Sequence, residues 1–587
     1  MSTAIKRRRG TTIQHSTFTG QLAELTVDTD KKVLMVHDGV KAGGYPTDYV
    51  INAQRYGATG DGVTDDTTNL QAAVTAAAGK RLSIPAGTYL ISSPINVPSN
   101  TIISGEAMGT VIKLSTGDIS GFYLNATSGV TIKDIQMRCS VAGTTAYVGG
   151  IFLNGAANTL ITNVSFIGLS WAGVYINNSS NNKVARCRFS GWLGTISDSA
   201  DVMIYRDSNF NTVTDCICGG GGSFGVAIQD PYSASYPTGN IVTNNTVSAH
   251  LAYGIMVYVT TFYNTQTIIS NNNVRDIVGS AVSGASGCGI YVQSAGGTVV
   301  SNNVVTNCCT GTTNFGTLAP AGIGITNILS STKPVMVIGN TINAMTKGPG
   351  IFVTTSGNVV ISNNAIDIQN SGASTNGYGI AFTNVTRSTI DGNNIVQRNS
   401  NYGAIAMIAS AAVVDAITIS NNIIYTTAGF GINFDVAGGG TFVRAIIAGN
   451  NVEASLIALA LNQCTDFSIT ENIFISASSY PTTITNSPRT RITMTRFLAN
   501  TGGKGPIFTG TCTGSFMEKS CYYTTFMEND AGSGFIVEQF GTAAPVGSGY
   551  WAVGDIVVQS VPVVGSPKQW RCTVAGNPGT WVSEGNL

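Results

Sequence analysis

Apolar and polar residues alternate along most of this chain in short runs, and the runs recur. From about Thr131 to Ala477 an apolar segment leads again and again into an Asn turn, at Asn244-Asn245, Asn271-Asn272-Asn273, Asn302-Asn303, Asn363-Asn364, Asn393-Asn394, Asn421-Asn422 and Asn450-Asn451. The turns return roughly every thirty residues, the spacing of a structural repeat. Between them stands a second word, Gly followed by alternating apolar residues, as in Gly150-Ile151, Gly173-Val174, Gly225-Val226, Gly254-Ile255, Gly289-Ile290, Gly324-Ile325, Gly350-Ile351, Gly379-Ile380 and Gly431-Ile432.

Alternation turns every second Ile, Val or Phe to one face of a short strand. A single coil of such strands cannot bury that face. Stacked at about 4.8 Å, coils bury a continuous core and pair each backbone group with the coil above and below. Asn suits the corner because it tolerates the left-handed conformation and bonds to the Asn beneath it. The expected fold is therefore all-β, a parallel β-helix on the order of 65 Å long, and right-handed by the family resemblance given below.

Composition narrows the rest. The chain has 587 residues, of which 10% are charged and 70 are Gly, a turn-rich β profile. A solenoid grows in one dimension, so length sets no domain count. A net charge of zero gives no bulk electrostatic ground for nucleic acid or an acidic membrane as partner. No apolar run reaches the roughly 18–20 residues of a membrane span. Nothing apolar follows Lys6-Arg7-Arg8-Arg9, so no secretory signal is read, and synthesis in a reducing cytosol is expected. Eleven Cys, with Cys216/Cys218 and Cys308/Cys309 at neither zinc nor thioredoxin spacing, are expected to be buried free thiols. No cofactor or metal is expected, and Asp61, Asp65 and Asp66 read as turn and cap residues.

Residues 1–48 form a separate module with strands at Leu25-Thr26-Val27-Asp28 and Val33-Leu34-Met35-Val36. Its wording, Arg8-Arg9-Gly10-Thr11-Thr12, Phe18-Thr19-Gly20, Thr26 to Lys32 and His37-Asp38-Gly39, resembles the virion-attachment segment of bacteriophage tail spikes and fibres. Residues 49–80 make a neck and a short Ala-rich helix over 67–78. The string from Tyr56-Gly57-Ala58-Thr59-Gly60-Asp61-Gly62 to Asp66-Thr67, followed by Leu82-Ser83-Ile84-Pro85-Ala86-Gly87-Thr88-Tyr89, resembles the opening motif of pectate-lyase-like β-helix proteins, phage tailspike depolymerases among them. The helix proper is expected over 81–480. Residues 481–547 read as mixed β structure that knits three chains together, and 548–587 as a small β module. There Tyr550-Trp551, Trp570 and Trp581 are available either for sugar stacking or as a core.

That resemblance implies a homotrimer in the virion tail, docked to a baseplate or tail protein through residues 1–48 and acting on bacterial capsular polysaccharide or O-antigen at the cell surface. Periodicity then lists the outward residues. Counting from each Gly, positions two and four face outward, and aligning Asp201-Val202-Met203-Ile204-Tyr205 with Gly173-Val174-Tyr175-Ile176-Asn177 fills one gap. The column includes Tyr175, Asn177, Tyr205, Gln229, Tyr258, Tyr291 and Gln293, amides and exposed rings suited to sugars. Arg206, Asp207, Asp230 and His250 gather at one level of it. Glycosidic hydrolysis needs two carboxyls about 5–9.5 Å apart, and Asp207 and Asp230 are the catalytic candidates. A lyase acting on a uronate polymer would instead use Tyr258, His250 and Arg206, and a non-catalytic receptor-binding fibre would only hold the polymer. Asp367, Asp391, Asp435 and Glu453 form a second acidic group.

Overall fold

The computed structural model describes residues 7–47, 50–193, 198–232, 236–279, 287–308, 321–328, 332–345, 348–369, 377–398, 401–410, 412–436, 439–477, 480–499, 505–518, 520–523, 528–529, 538–546 and 551–587. Lys6, Cys309 and Tyr550 lie outside them. The chain divides into two compact units, residues 1–229 with 234–241, and residues 230–233 with 242–587.

The first unit opens with a four-stranded sheet, Arg9–Gly10, Leu25–Asp28, Val33–Val36 and Tyr45–Pro46. The two expected strands pair antiparallel, Leu25 opposite Val36. A helix not expected from the sequence, Thr12–Thr17, starts at a reciprocal cap between Thr11 and Gln14. Beneath it His15 and His37 are buried and both reach the Thr26 hydroxyl at 2.8 Å. After the neck, the Ala-rich helix runs Thr67–Ala76 and buries Leu70, Ala73 and Val74. Asp66 does not cap it. Its carboxylate accepts from the Thr59 and Gly60 amides and fixes that turn, while Asp61 accepts from Val63 and Thr64.

Coils follow in both units. In the first, Arg81–Ser83, Ile102–Ser104, Thr131–Cys139, Leu160–Ile167, Lys183–Ala185 and Thr212–Thr214 pair in parallel, one coil on the next. Ile103, Ile132, Ile161, Val184 and Val213 fill the interior. A second face stacks Phe122–Asn125, Gly149–Asn154, Ala172–Asn177, Ala200–Tyr205 and Phe224–Asp230, with Val174 opposite Val202 and Asn177 opposite Tyr205, the register read from the alignment of 201–205. The second unit repeats the pattern from Tyr253–Asn264 and Cys288–Gly296 onward. The architecture is all-β with long parallel sheets.

The corner Asn residues divide their two duties between neighbours. The first position takes the left-handed backbone, at Asn271, Asn302, Asn363 and Asn421, or at Gly339, Gly392 and Gly449. The second is buried and hydrogen-bonds along the axis. In the second unit the Nδ2 of Asn245 donates to Asn272 Oδ1, and the ladder continues through Asn303, Asn340, Asn364, Asn393, Asn422 and Asn450 to Asn472 at 2.9–3.0 Å per rung.

The sequence expectation for residues 481–547 needs correction. Parallel coil pairing does not stop near 480 but carries Arg491–Thr493 onto Phe516–Met517 and Thr482–Thr485 onto Ile507–Thr509. Apolar residues there are sparser, which hid the repeat, yet Ile492, Phe497 and Phe508 still fill the interior. The chain closes with a sheet of Glu538–Gly541, Ile556–Gln559, Pro567–Val574 and Thr580–Asn586. Trp551 is its core, with Trp581 packed edge-on at 5.0 Å, while Trp570 and Trp581 are half-buried. The described thiols are free and, apart from half-buried Cys521, buried; burial pushes Cys288 and Cys308 up to about 12. No described helix is long and apolar enough to cross a membrane.

Candidate functional site

On the second face of the first unit, the side chains alternating with the buried Ile and Val column build a continuous strip. Asn125, Asn154 and Asn177 occupy equivalent positions of successive coils, and each amide donates to the one below at 3.0 and 2.9 Å. Tyr205 and then Gln229 continue this column. Beside it Tyr123, Phe152 and Tyr175 pack ring to ring, Phe152 stacking on Tyr175 at 4.5 Å.

Tyr175 and Tyr205 are not the exposed rings expected from the sequence; each is 3% exposed. Two aromatic residues that the strand periodicity does not list lie against them. Trp171, just before the strand Ala172–Asn177, meets Tyr175 edge-on at 4.8 Å, and Tyr147 stands 6.4 Å from Tyr175 and 6.0 Å from Tyr205. Tyr147 is 48% exposed, so it is the solvent-facing ring of the group. Its φ of 64° is left-handed, rare for a bulky side chain. Trp171 was within reach of sequence reasoning, since it stands two residues before Gly173; Tyr147 sits in a loop with no periodic signal.

The charged residues lie at the strand ends. Arg206, also left-handed at 56°, holds its guanidinium 5.5 Å from the Tyr205 ring centroid and is exposed. Asp207 is exposed and accepts from Asn209 Nδ2 at 2.6 Å. Gln229 is buried, its Nε2 against Met203 Sδ at 3.3 Å. On the same unit, buried Asp201 accepts from Trp192 Nε1 at 2.6 Å.

In the second unit Asp230 is buried, and its Oδ1 accepts from the Tyr232 amide at 2.9 Å across Pro231, an Asx turn. Tyr258 and Gln293 are register partners and both half-exposed. Tyr291 is buried, stacked on Tyr253 at 4.7 Å, and donates its hydroxyl to Gln293; burial pushes that hydroxyl well above the ordinary tyrosine value. His250 has no exposed surface. The expectation that it reaches a surface ligand is corrected: it precedes a strand inside the coil instead of lying on its outer face. Asp207 thus belongs to one unit and Asp230 to the other.

The second acidic group disperses. Asp367 pairs with Arg398 at 3.2 Å, Asp391 accepts from Ser420 and Asn421, Glu453 lies opposite Tyr425, and Asp435 stands in a different sheet opposite Ile408. Among the described residues no cluster of His, Cys, Asp or Glu has the arrangement of a metal site.

Comparison with known proteins adds the following. Residues 50–313 match the family described as rhamnogalacturonase A/epimerase, pectate lyase-like; residues 349–521 match the right-handed β-helix region; and residues 5–41 match the major tropism determinant N-terminal domain. The chain is 63% identical over 46 residues, 8% of its length and 12% of the other, to a tail fiber receptor-binding protein of Bordetella phage BPP-1. It is 32% identical over 153 residues, 25% of its length and 18% of the other, to a capsule-specific depolymerase of Klebsiella phage K5-2. The chain therefore spans well under two thirds of either relative. Among solved structures, a mannuronan C-5 epimerase A-module of Azotobacter vinelandii aligns at 18% identity and a TM-score of 0.34, covering 68% of this chain and 95% of that one. In its opening motif, its repeats and these matches, the chain resembles bacteriophage tailspikes and depolymerases built on a pectate-lyase-like parallel β-helix.

Proposed function

We propose that the protein is a phage tailspike that binds and depolymerises a bacterial surface polysaccharide, capsule or O-antigen, by glycosidic hydrolysis. The observation that carries this reading is the outward strip of the first unit, where an amide column leads into the ring group of Tyr147, Trp171, Tyr175 and Tyr205. Amides exchange hydrogen bonds with hydroxyls and rings stack on pyranose faces. Of these four rings Tyr147, 48% exposed, is the one open to solvent and so the one available to a sugar face. The match of residues 5–41 to the major tropism determinant N-terminal domain and the 63% identity over 46 residues to a phage tail fiber receptor-binding protein support a place in the virion tail, where the chain is proposed to dock to a tail or baseplate protein through residues 1–48 and to act as a homotrimer.

Asp207 and Asp230 are the proposed carboxyl pair, one solvated and one shielded. In this scheme one carboxyl delivers its proton to the glycosidic oxygen as the bond to the anomeric carbon breaks. The other, ionised, activates a water or attacks that carbon. Arg206, Tyr258 and Gln293, which reach solvent, are the proposed sugar-positioning side chains. No metal or cofactor enters the scheme.

A lyase acting on a uronate polymer is the second reading, favoured by the contact of Arg206 with Tyr205, since a cation beside a phenol can neutralise a carboxylate and assist proton abstraction. Purified polysaccharide from the host, incubated with the protein, separates the readings. Hydrolysis gives shortened products without ultraviolet absorption from an unsaturated uronate, a lyase gives that absorption, and intact polymer refutes both.

A further inference from the structure

A short strap of backbone holds Tyr147 against the ring group of the first unit. Residues 140–148 leave the strand Thr131–Cys139 and lie against residues 115–120 before the strand Gly149–Asn154 begins. Where the two segments meet, Gly117 and Gly143 are buried and so close that neither has room for a Cβ. Further ties fix the strap. The Gly117 amide donates to the Val141 carbonyl at 2.9 Å, the Gly143 amide to buried Ser170 Oγ at 2.8 Å, and the Thr144 and Thr145 amides to Asp118 Oδ1 at 2.6 and 2.7 Å. Hydrogen bonds from the Thr145 and Thr144 amides hold the Asp118 carboxyl below the usual carboxylate range.

Past those ties only Ala146, Tyr147 and Val148 remain before the Gly149 amide is held by Ser120 Oγ at 3.1 Å. The Tyr147 ring lies 5.2, 6.4 and 6.0 Å from those of Trp171, Tyr175 and Tyr205. Strand alternation turns Tyr175 and Tyr205 away from the interior, yet they and Trp171 are only 2–3% exposed. Of the four rings, Tyr147 alone has substantial surface. Its left-handed backbone is unfavourable for a bulky residue. Return to an ordinary φ would swing the ring away, and the ring contacts oppose that return.

We propose that Tyr147 is a movable lid on this ring group and that Asp118 is the residue that positions it. Down, the lid shuts Trp171, Tyr175 and Tyr205 from solvent. Raised, it opens a floor of rings on which a sugar stacks before Tyr147 closes on the sugar's other face. The inference rests on the polysaccharide reading for its occupant, and it adds control of access to that site. A lid makes a particular demand on rates, because a site open for a fraction of the time associates more slowly by that fraction.

Stopped-flow binding of the host's purified polysaccharide to the full chain reads that demand. Tyr147→Ala is expected to raise the association rate constant about threefold and the dissociation rate constant about thirtyfold. A ring that only stacks would raise dissociation alone, so unchanged or slower association in this variant overturns the lid. Hydroxyl-radical footprinting of the ligand-free chain reads Asp118. Asp118→Ala removes the acceptor of two amides and is expected to raise labelling of Trp171, Tyr175 and Tyr205 severalfold, whereas Asp118→Asn keeps an acceptor oxygen and matches the wild type. Equal labelling in all three proteins overturns the role of Asp118, and the rates of Tyr147→Ala decide for the lid even where Asp118→Ala fails to fold. Absence of polysaccharide binding by the wild type, with the footprints as expected, would sink the polysaccharide reading and leave the lid.

Discussion

Asn303 and Asn340 are 37 residues apart in sequence, yet the Nδ2 of Asn303 donates to Oδ1 of Asn340 at 3.0 Å, and the same oxygen accepts from the Asn303 backbone amide at 3.0 Å. A side-chain amide here takes the place of a backbone partner between coils, and it does so inside the core, where an unmade bond is expensive.

Replacing Asn303 by Ala is therefore expected to destabilise the second unit by about 2–4 kcal/mol, because the Asn272 amides lose their acceptor and buried Asn340 loses a donor. Asn302→Gly, at the left-handed position that Gly339 and Gly392 fill in other coils, is expected to cost less than about 1 kcal/mol. Denaturant unfolding of the two variants measures the contrast, and equal losses would contradict the division of duties.

The repeat was legible because its words recur, and the register of Asp201-Val202-Met203-Ile204-Tyr205 followed from them. What lies over a strand was not legible. Period-two alternation says that Tyr175 and Tyr205 face away from the Ile and Val column; it does not say that Tyr147 and Trp171 cover them. The same limit applies to His250, placed by sequence near the outward column and buried in the structure. The coils beyond residue 480 are harder to read for a different reason: their interior residues are fewer, and Met494-Thr495 stands at the corner that earlier coils mark with Asn.

Tyr147→Ala is expected to weaken binding of the host polysaccharide about tenfold, the loss of one stacking ring of about 1.5 kcal/mol, with unfolding temperature nearly unchanged because the ring is half in solvent. Trp171→Ala should weaken binding and also lower stability, since Trp171 is buried against Tyr175. Binding by calorimetry beside thermal unfolding separates the two.

Along another corner of the second unit, Asp415 pairs with Arg444 and Asp466 with Arg489. Hydrogen bonds from those guanidinium groups hold both carboxyls below the usual range. A depressed folded-state value contributes stability that is complete above the unfolded value of about 3.9 and is lost as pH falls through the lower folded one. Replacing both Arg444 and Arg489 by Gln should therefore leave unfolding at about pH 3 less affected than unfolding at neutral pH. The shift should be small, because the pairs are solvated. A loss that grows toward acid would contradict the assignment.

In the N-terminal sheet the bond polarities fix a chain. The Gly20 amide donates to His37 Nδ1, so His37 Nε2 carries the proton and donates to Thr26. His15 Nδ1 donates to the Thr11 carbonyl, so Thr26 donates to His15 Nε2. Thr26→Val is expected to cost about 2 kcal/mol by stranding both ring nitrogens, and Thr26→Ser to cost far less. Hydrogen exchange of the amides in Leu25–Asp28 and Val33–Val36 in the full chain reads this directly.

Asp207 and Asp230 are proposed above as the carboxyl pair of glycosidic cleavage. Size-exclusion chromatography of the host's purified polysaccharide after incubation with wild type, Asp207→Asn and Asp230→Asn tests it most directly. The account predicts short products from the wild type and polymer of undiminished length from either variant, each with native circular dichroism. Undiminished cleavage by both folded variants would contradict it.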